Sequence, residues 1–296
     1  MRIWLVAGFV ALAGNAFGVD TTATQAGQAQ PESTQGPVWS FDLNGSFTSG
    51  SRIEKAHNFG SQAEFHHEFE ALRNFHLFDK YYLQIGIDYD RYDFSRSNSI
   101  FPYALSGVAG EGSISYWDGD EFFPLLTLKP GVYYTRDYIT LNSFDIPVRV
   151  AGGFKVYNKV HLVLGFEADA YQEIPVFPVA GLNWEITDKV NLRAVFPEPR
   201  LSYNPNKKLE IFIAGEVGGG SYRNGPTADP RTNNAVLEYT VDRAGTGISY
   251  NPKKGVSIEG SAGWNIQRRF NYFRAGPDFS SRGALYLKLD LSVDLF

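Results

Sequence analysis

From residue 285 to the end of the chain, apolar and polar side chains alternate without a slip. Leu285, Leu287, Leu289, Leu291, Val293 and Leu295 occupy one parity, and Tyr286, Lys288, Asp290, Ser292 and Asp294 the other. Period two is the mark of a β-strand with one apolar and one mostly polar face. The pattern recurs along the chain. Trp39, Phe41, Leu43 and Phe47 alternate with Ser40, Asp42, Asn44 and Ser46, and Tyr81 to Tyr89 alternate with Gln84, Asp88 and Asp90. Leu209, Ile211 and Ile213 stand opposite Glu210 and Glu216; Val256, Ile258, Ala262, Trp264 and Ile266 stand opposite Ser257, Glu259 and Ser261. Val160, Leu162, Leu164 and Phe166 alternate with His161 and Glu167, although Val163 breaks that pattern.

The connections fall into two classes. Asp79-Lys80, Asn158-Lys159, Asp188-Lys189, the run Asn204 to Lys208 and the run Asn251 to Gly255 are short and built from turn-forming residues. The others, around 49–61, 92–106, 136–143, 223–234 and 269–283, are longer and irregular. Strands are expected near 38–48, 62–72, 80–91, 107–117, 124–135, 144–157, 159–170, 176–187, 189–196, 199–203, 208–222, 235–250, 254–268 and 284–296, which makes fourteen. Two places are ambiguous. Glu64 to Phe78 also reads as a helix, and Pro197-Glu198-Pro199 interrupts 189–203, so twelve strands result if one of these hairpins does not form. Short turns on one rim and long loops on the other are the organisation of a bacterial membrane barrel. The fold expected is all-β: a transmembrane antiparallel up-and-down β-barrel.

The N-terminus agrees with export. Arg2 precedes an apolar stretch from Ile3 to Ala13, too short for the ~20 residues of a spanning helix. Ala16 and Gly18 then have the spacing read by signal peptidase. We expect a signal peptide over 1–18, a lead-in over 19–36 too poor in large apolar residues to fold, and a barrel over 37–296. The absence of cysteine rules out disulfides, thiolate metal sites and a lipidated cysteine. No later segment approaches eighteen consecutive apolar residues, so spanning would require a closed barrel. A net charge of −5 argues against a basic nucleic-acid groove.

The stretch from Pro175 to Arg223 carries a family resemblance. It contains Pro178-Val179-Ala180-Gly181-Leu182-Asn183-Trp184, Asp188-Lys189, Phe196-Pro197-Glu198-Pro199-Arg200 and Gly218-Gly219-Gly220-Ser221-Tyr222-Arg223. It resembles a family of porin-like bacterial outer-membrane barrels catalogued only as a domain of unknown function. A terminal Phe is also how such barrels usually end, but Phe296 is in register with Asp294 and Ser292 rather than with the leucines. The resemblance implies a fold and no catalytic residues. A soluble periplasmic ligand-binding β-barrel with an apolar interior has the same periodicity and is the architectural alternative.

Candidate chemistry is sparse. His66-His67-Glu68 begins like a zinc-protease helix, but Ala71 stands where the second histidine belongs. Gly218 to Gly220 lacks the Lys-Ser/Thr of a phosphate loop and reads as a bulge or a close strand contact. No enzyme, metal site or cofactor is expected. Parity instead points Glu167, Asp169, Glu210, Glu216, Glu238, Asp242, Glu259, Arg149 and Arg193 into a lumen where acids outnumber bases. Trp39, Tyr89, Tyr92, Trp117, Tyr171, Tyr222, Tyr250, Trp264 and Tyr272 suit interfacial girdles. The function expected is passive passage of small solutes across the outer membrane of a Gram-negative-type bacterium. A non-conducting structural or adhesion barrel is the rival. Outer-membrane lipid and the barrel-assembly machinery are the expected partners.

Overall fold

The computed structural model describes residues 36–54, 59–98, 100–117, 122–272, 276 and 278–296. The expected signal peptide, and the lead-in except Gly36, lie outside the described residues. The strands are β1 (Trp39–Arg52), β2 (Ser61–Phe78), β3 (Tyr81–Phe94), β4 (Ala104–Trp117) and β5 in two pieces (Phe122–Leu128, Gly131–Thr135). Then come β6, also in two pieces (Phe144–Asp145, Val148–Tyr157), β7 (Val160–Ala168), β8 (Val176–Thr187), β9 (Val190–Val195) and β10 (Arg200–Asn206). The last are β11 (Leu209–Arg223), β12 (Val236–Lys253), β13 (Val256–Asn271) and β14 (Asp278–Ser280, Ala284–Leu295).

Each strand pairs antiparallel with the next, and β1 closes on β14 from Trp39 opposite Leu295 to Thr48 opposite Tyr286. Fourteen strands in a closed ring leave no continuous free edge, the condition for backbone in lipid. Both ambiguous hairpins form: residues 61–78 are strand, and β9 and β10 pair across Pro197-Glu198-Pro199. Among the described residues no helix is long and apolar enough to cross a membrane. The helical content among them is one 3-10 turn, Leu141–Ser143.

The exterior is apolar. Leu285, Leu287 and Leu289 are each about three-fifths exposed, and Leu43, Phe47, Ile85, Ile87, Leu164, Phe166, Ile211, Ile213, Ile248 and Ile258 stand exposed on neighbouring strands. The opposite parity of the same strands carries Asn44, Ser46, Glu68, Asp88, Glu167, Glu210 and Asp290, all buried. This polarity is the inverse of a soluble barrel and excludes the apolar-interior alternative; it is the distribution of a barrel solvated by lipid. Arginine at Leu164 or Leu287 should therefore cost about 2–4 kcal/mol of folding into lipid. Glu167→Gln should fold like the parent, as read by heat-modifiable migration after refolding into vesicles. Tolerant apolar sites would refute this assignment of faces.

Val163, which interrupts the alternation of β7, faces inward. With Val179 and Val195 it forms a small interior apolar cluster, against which Phe123 packs. Phe296 lies past the last residue of β14, with the Lys254 ammonium 4.1 Å from its ring centroid, so its parity has no bearing on the strand.

The ring is uneven. β9 and β10 are six and seven residues long, whereas β11 and β12 run to fifteen and eighteen. Beyond the first residue of β10, the connection that precedes it continues the pairing: Gly215 N–H donates to the Pro199 carbonyl (2.9 Å) and Val217 N–H to that of Pro197 (3.2 Å). Farther up, β11 meets β5 in a parallel contact, Arg223 opposite Tyr134, so the barrel narrows toward its loop end. Gly219 permits this path. Its φ is +124°, and a Cβ there would lie 2.0 Å from the Tyr239 carbonyl oxygen.

Candidate functional site: the polar interior

The narrowed loop end is filled by aromatic rings. Tyr92, Phe94, Phe101, Tyr222, Tyr239, Phe270, Tyr272 and Phe279 are buried together with Ile53, Leu105, Leu237 and Val241. Phe101 sits at the centre, its ring centroid 4.5 Å from Phe59, 5.4 Å from Phe270 and 4.9 Å from Phe279. Tilted and edge-to-face pairs of this kind contribute about 0.5–1.5 kcal/mol each beyond burial.

Phe101 is delivered by the loop between β3 and β4, which is tied down on several sides. Asn98 Oδ1 accepts from the N–H groups of Ile100 and Phe101, both at 2.8 Å. Gln62 Nε2 donates to the Arg96 carbonyl (2.7 Å), Arg96 to that of Phe59 (3.2 Å), Arg136 to that of Asn98 and the Tyr272 hydroxyl to that of Ile100. On the next loop, the Tyr103 hydroxyl (2.6 Å) and Arg91 (3.0 Å) donate to Asp137 and hold its carboxyl below the ordinary range.

This plug explains two departures from expectation. Glu238 and Asp242 lie on the outward face of β12, whose inward residues at this level are Leu237, Tyr239 and Val241. At this level the polarity of the strand inverts: the side facing the plug is apolar, and the other side, half-buried at Glu238 and Asp242, is polar. Glu238 there accepts from the Glu173 N–H (3.2 Å), and Asp242 stands near Arg269. For the same reason Tyr92, Tyr222 and Tyr272 belong to the plug; Trp117, at the opposite rim beside Lys80, is also buried. Of the aromatics expected in girdles, Tyr250 and Trp264 are exposed on the exterior.

Beneath the plug the interior is charged. Glu64 accepts from Arg243 (3.1 Å), Arg268 (3.4 Å) and the Tyr239 hydroxyl. Glu216 lies 3.3 Å from both Arg243 and Lys288, and Lys288 is 3.7 Å from Asp290. Arg200 reaches Glu210 (2.6 Å) and Glu259 (2.8 Å), with its guanidinium over the Phe212 ring. Arg149 pairs with Glu167 (3.3 Å) and Arg193 with Glu198 (3.7 Å). Asp169 contacts Asp145.

Sequence parity did not find Lys129, Arg200, Arg243 or Arg268. Lys129 adjoins the Pro130 break in β5, and Arg200 follows Pro199 at the start of a short strand. Arg268 comes after a bulge between Asn265 and Gln267 that exchanges the faces of β13. Arg243 is on the inward parity of β12 that the outward acids disguise. With these bases in place, most interior carboxylates have a cationic partner.

Glu70, Asp88 and Glu111 bring carboxylate oxygens within 4.8 Å of one another, as a metal site would. The Lys129 ammonium already lies among them, at 3.6, 2.9 and 3.1 Å respectively. The two histidines do not form a ligand pair. His66 faces inward, stacked on Tyr92 at 4.0 Å and bonded through Nε2 to Asp90 (2.6 Å), while His67 is on the other face.

Two cavities occupy this region. The upper one, about 70 Å³, lies against Tyr92 and Tyr222 and is lined by residues of β2, β3, β5, β6 and β11. The lower one, also about 70 Å³, is lined by Arg193, Arg200, Phe212, Glu259, Tyr286 and Asp290. Glu198, Glu216 and Lys288 line both.

No curated protein matches the chain. Among solved structures it is similar to a TodX monoaromatic hydrocarbon channel deltaS2 mutant (9% identity, TM-score 0.42, 88% of this chain and 91% of that one). It is also similar to the NanC porin (12%, 0.36, 86% and 100%) and to a mutant of the Rh. blastica porin (12%, 0.31, 87% and 100%). A family model described as "Domain of unknown function (DUF6268)" matches residues 121–276, which includes the Pro178–Trp184 and Gly218–Arg223 motifs, and the chain belongs to that family.

Proposed function

We propose that this chain is an outer-membrane barrel that passes small polar solutes through a narrow charged interior, closed at its loop end by the aromatic plug. The observation that carries this reading is the pairing of a lipid-compatible exterior with polar cavities inside the ring. A barrel built only for rigidity has no need of cavities that share lining residues below a loop-borne closure. Export through the signal peptide, removal of residues 1–18 and insertion by the barrel-assembly machinery belong to the same proposal. The interior ion pairs mean that selectivity is set locally along the path rather than by a uniformly acidic lumen.

Planar-bilayer recording of the refolded protein tests it. The parent should show small or rare conductance steps. A variant with residues 96–102 replaced by a Gly-Ser linker, and the milder Phe101→Ala, should raise the conductance several-fold. The plug and the interior ion pairs equally suit a non-conducting structural barrel. That reading takes over if parent and plug variants all migrate as folded barrels and none conducts.

A further inference from the structure

The upper cavity has an excess of carboxylates. Two lysines line it and both are engaged, Lys129 with Asp88 and Glu111, Lys288 with Glu216. Asp90 is held by His66 and by the Tyr222 hydroxyl, each at 2.6 Å. Asp145 and Asp169 differ from these. Both line the cavity, both are 8% exposed, and their carboxyls are in hydrogen-bonding contact with each other. Their other contacts are the Ile146 N–H to Asp145 (2.8 Å), the Tyr171 N–H to Asp169 (2.7 Å) and Gln172; among the described residues no lysine or arginine reaches either. Two carboxylates in contact require a proton or a cation between them.

A second observation points the same way. Ser221 lines this cavity, is 5% exposed, and its Oγ has no hydrogen-bond partner among the described residues. Buried hydroxyls without partners are uncommon in folded proteins, because the lost hydration costs free energy. His66 Nδ1 on the same wall is likewise without a partner among them.

We propose that the upper cavity binds a small organic cation bearing one or more ammonium groups, seated on the Asp145–Asp169 pair with Ser221 as a further acceptor. The chain displays the chemistry itself: the Lys129 ammonium is received by three carboxylates at 2.9 to 3.6 Å. Rings of Tyr92, Tyr133 and Tyr222 share the wall, and aromatic faces attract organic cations. A bare calcium ion would instead need about six to eight oxygen ligands.

This inference names the solute class of the proposed passage and rests on that reading for how the cation arrives, not for its binding. Calorimetric titration of the refolded full chain in detergent tests it, with 1,4-diaminobutane as probe, neutral 1,4-butanediol as control and calcium chloride as the metal arm. Diaminobutane should bind and butanediol should not. The double variant Asp145→Asn/Asp169→Asn, which leaves no buried base without its partner, should weaken binding at least tenfold. Ser221→Ala should weaken it several-fold and guards against a folding defect in the double variant. No heat with diaminobutane, equal affinity in folded variants, or binding of calcium alone would overturn the proposal. Binding without conductance would support it and remove the passage reading.

Discussion

Arg268→Ala should destabilise the barrel by roughly 3–5 kcal/mol, the cost of breaking a buried ion pair by removing one partner. Arg268 is fully buried and ties three parts of the ring together. It donates to the Gln62 carbonyl (2.6 Å) on β2, to Ser51 (2.8 Å) on β1 and to Ser281 (3.3 Å) beside β14, besides its contact with Glu64. Without it Glu64 keeps Arg243 and Tyr239 but loses half its cationic shell, and the Ser51 and Gln62 oxygens lose their donor. Because the unmet charge is the source of the cost, Arg268→Met with Glu64→Gln should recover part of the loss. Urea midpoints of refolded protein, read by tryptophan fluorescence, give the comparison. A loss below about 1 kcal/mol, the range of exposed pairs, would mean that water reaches this layer.

The fold was legible because the lipid belt imposes a two-residue rhythm on segment after segment, while short turns on one rim and long loops on the other set the chain apart from a soluble barrel of the same periodicity. Leu285 to Leu295 is the plainest case, and the turns at Asp79, Asn158, Asp188 and Asn251 then fix the order of the strands. What the rhythm could not show is where the solvent changes. On β12, Ile248 and Tyr250 are apolar because they face lipid, whereas Leu237, Tyr239 and Val241 are apolar because they fill the plug. Parity is continuous along that strand, but polarity inverts halfway, so Glu238 and Asp242 were read on the wrong face. A single extra residue near Ile266 hides Arg268 in the same way. Glu167, Glu210, Glu216 and Glu259 lie on the inward side of their strands, each against a basic side chain. Asp145 was invisible for a different reason: its significance comes from contact with Asp169 on another strand's end, which no local pattern encodes.

Lys129→Met should turn a calcium-indifferent barrel into a calcium-stabilised one. Lys129 stands where β5 is interrupted before Pro130, its N–H donating to the Pro147 carbonyl (3.1 Å) and its ammonium lying among Glu70, Asp88 and Glu111. With the ammonium gone, three buried or half-buried carboxylates within 4.8 Å of one another face only each other. Like charges so close destabilise the fold unless a proton or another cation enters. Three carboxylates offer up to six oxygens, close to the ligand number calcium accepts, and the flexible geometry of calcium tolerates an unplanned site. Calcium at a hundred times its dissociation constant would return about 2.7 kcal/mol. The variant should therefore unfold at lower urea in EDTA than the parent and regain much of the difference in millimolar calcium, while the parent does not shift. A variant that remains folded and ignores calcium would mean that these carboxylates do not converge on one point once the lysine is removed, and that Lys129 is a bystander to the β5 break rather than the cation that holds it.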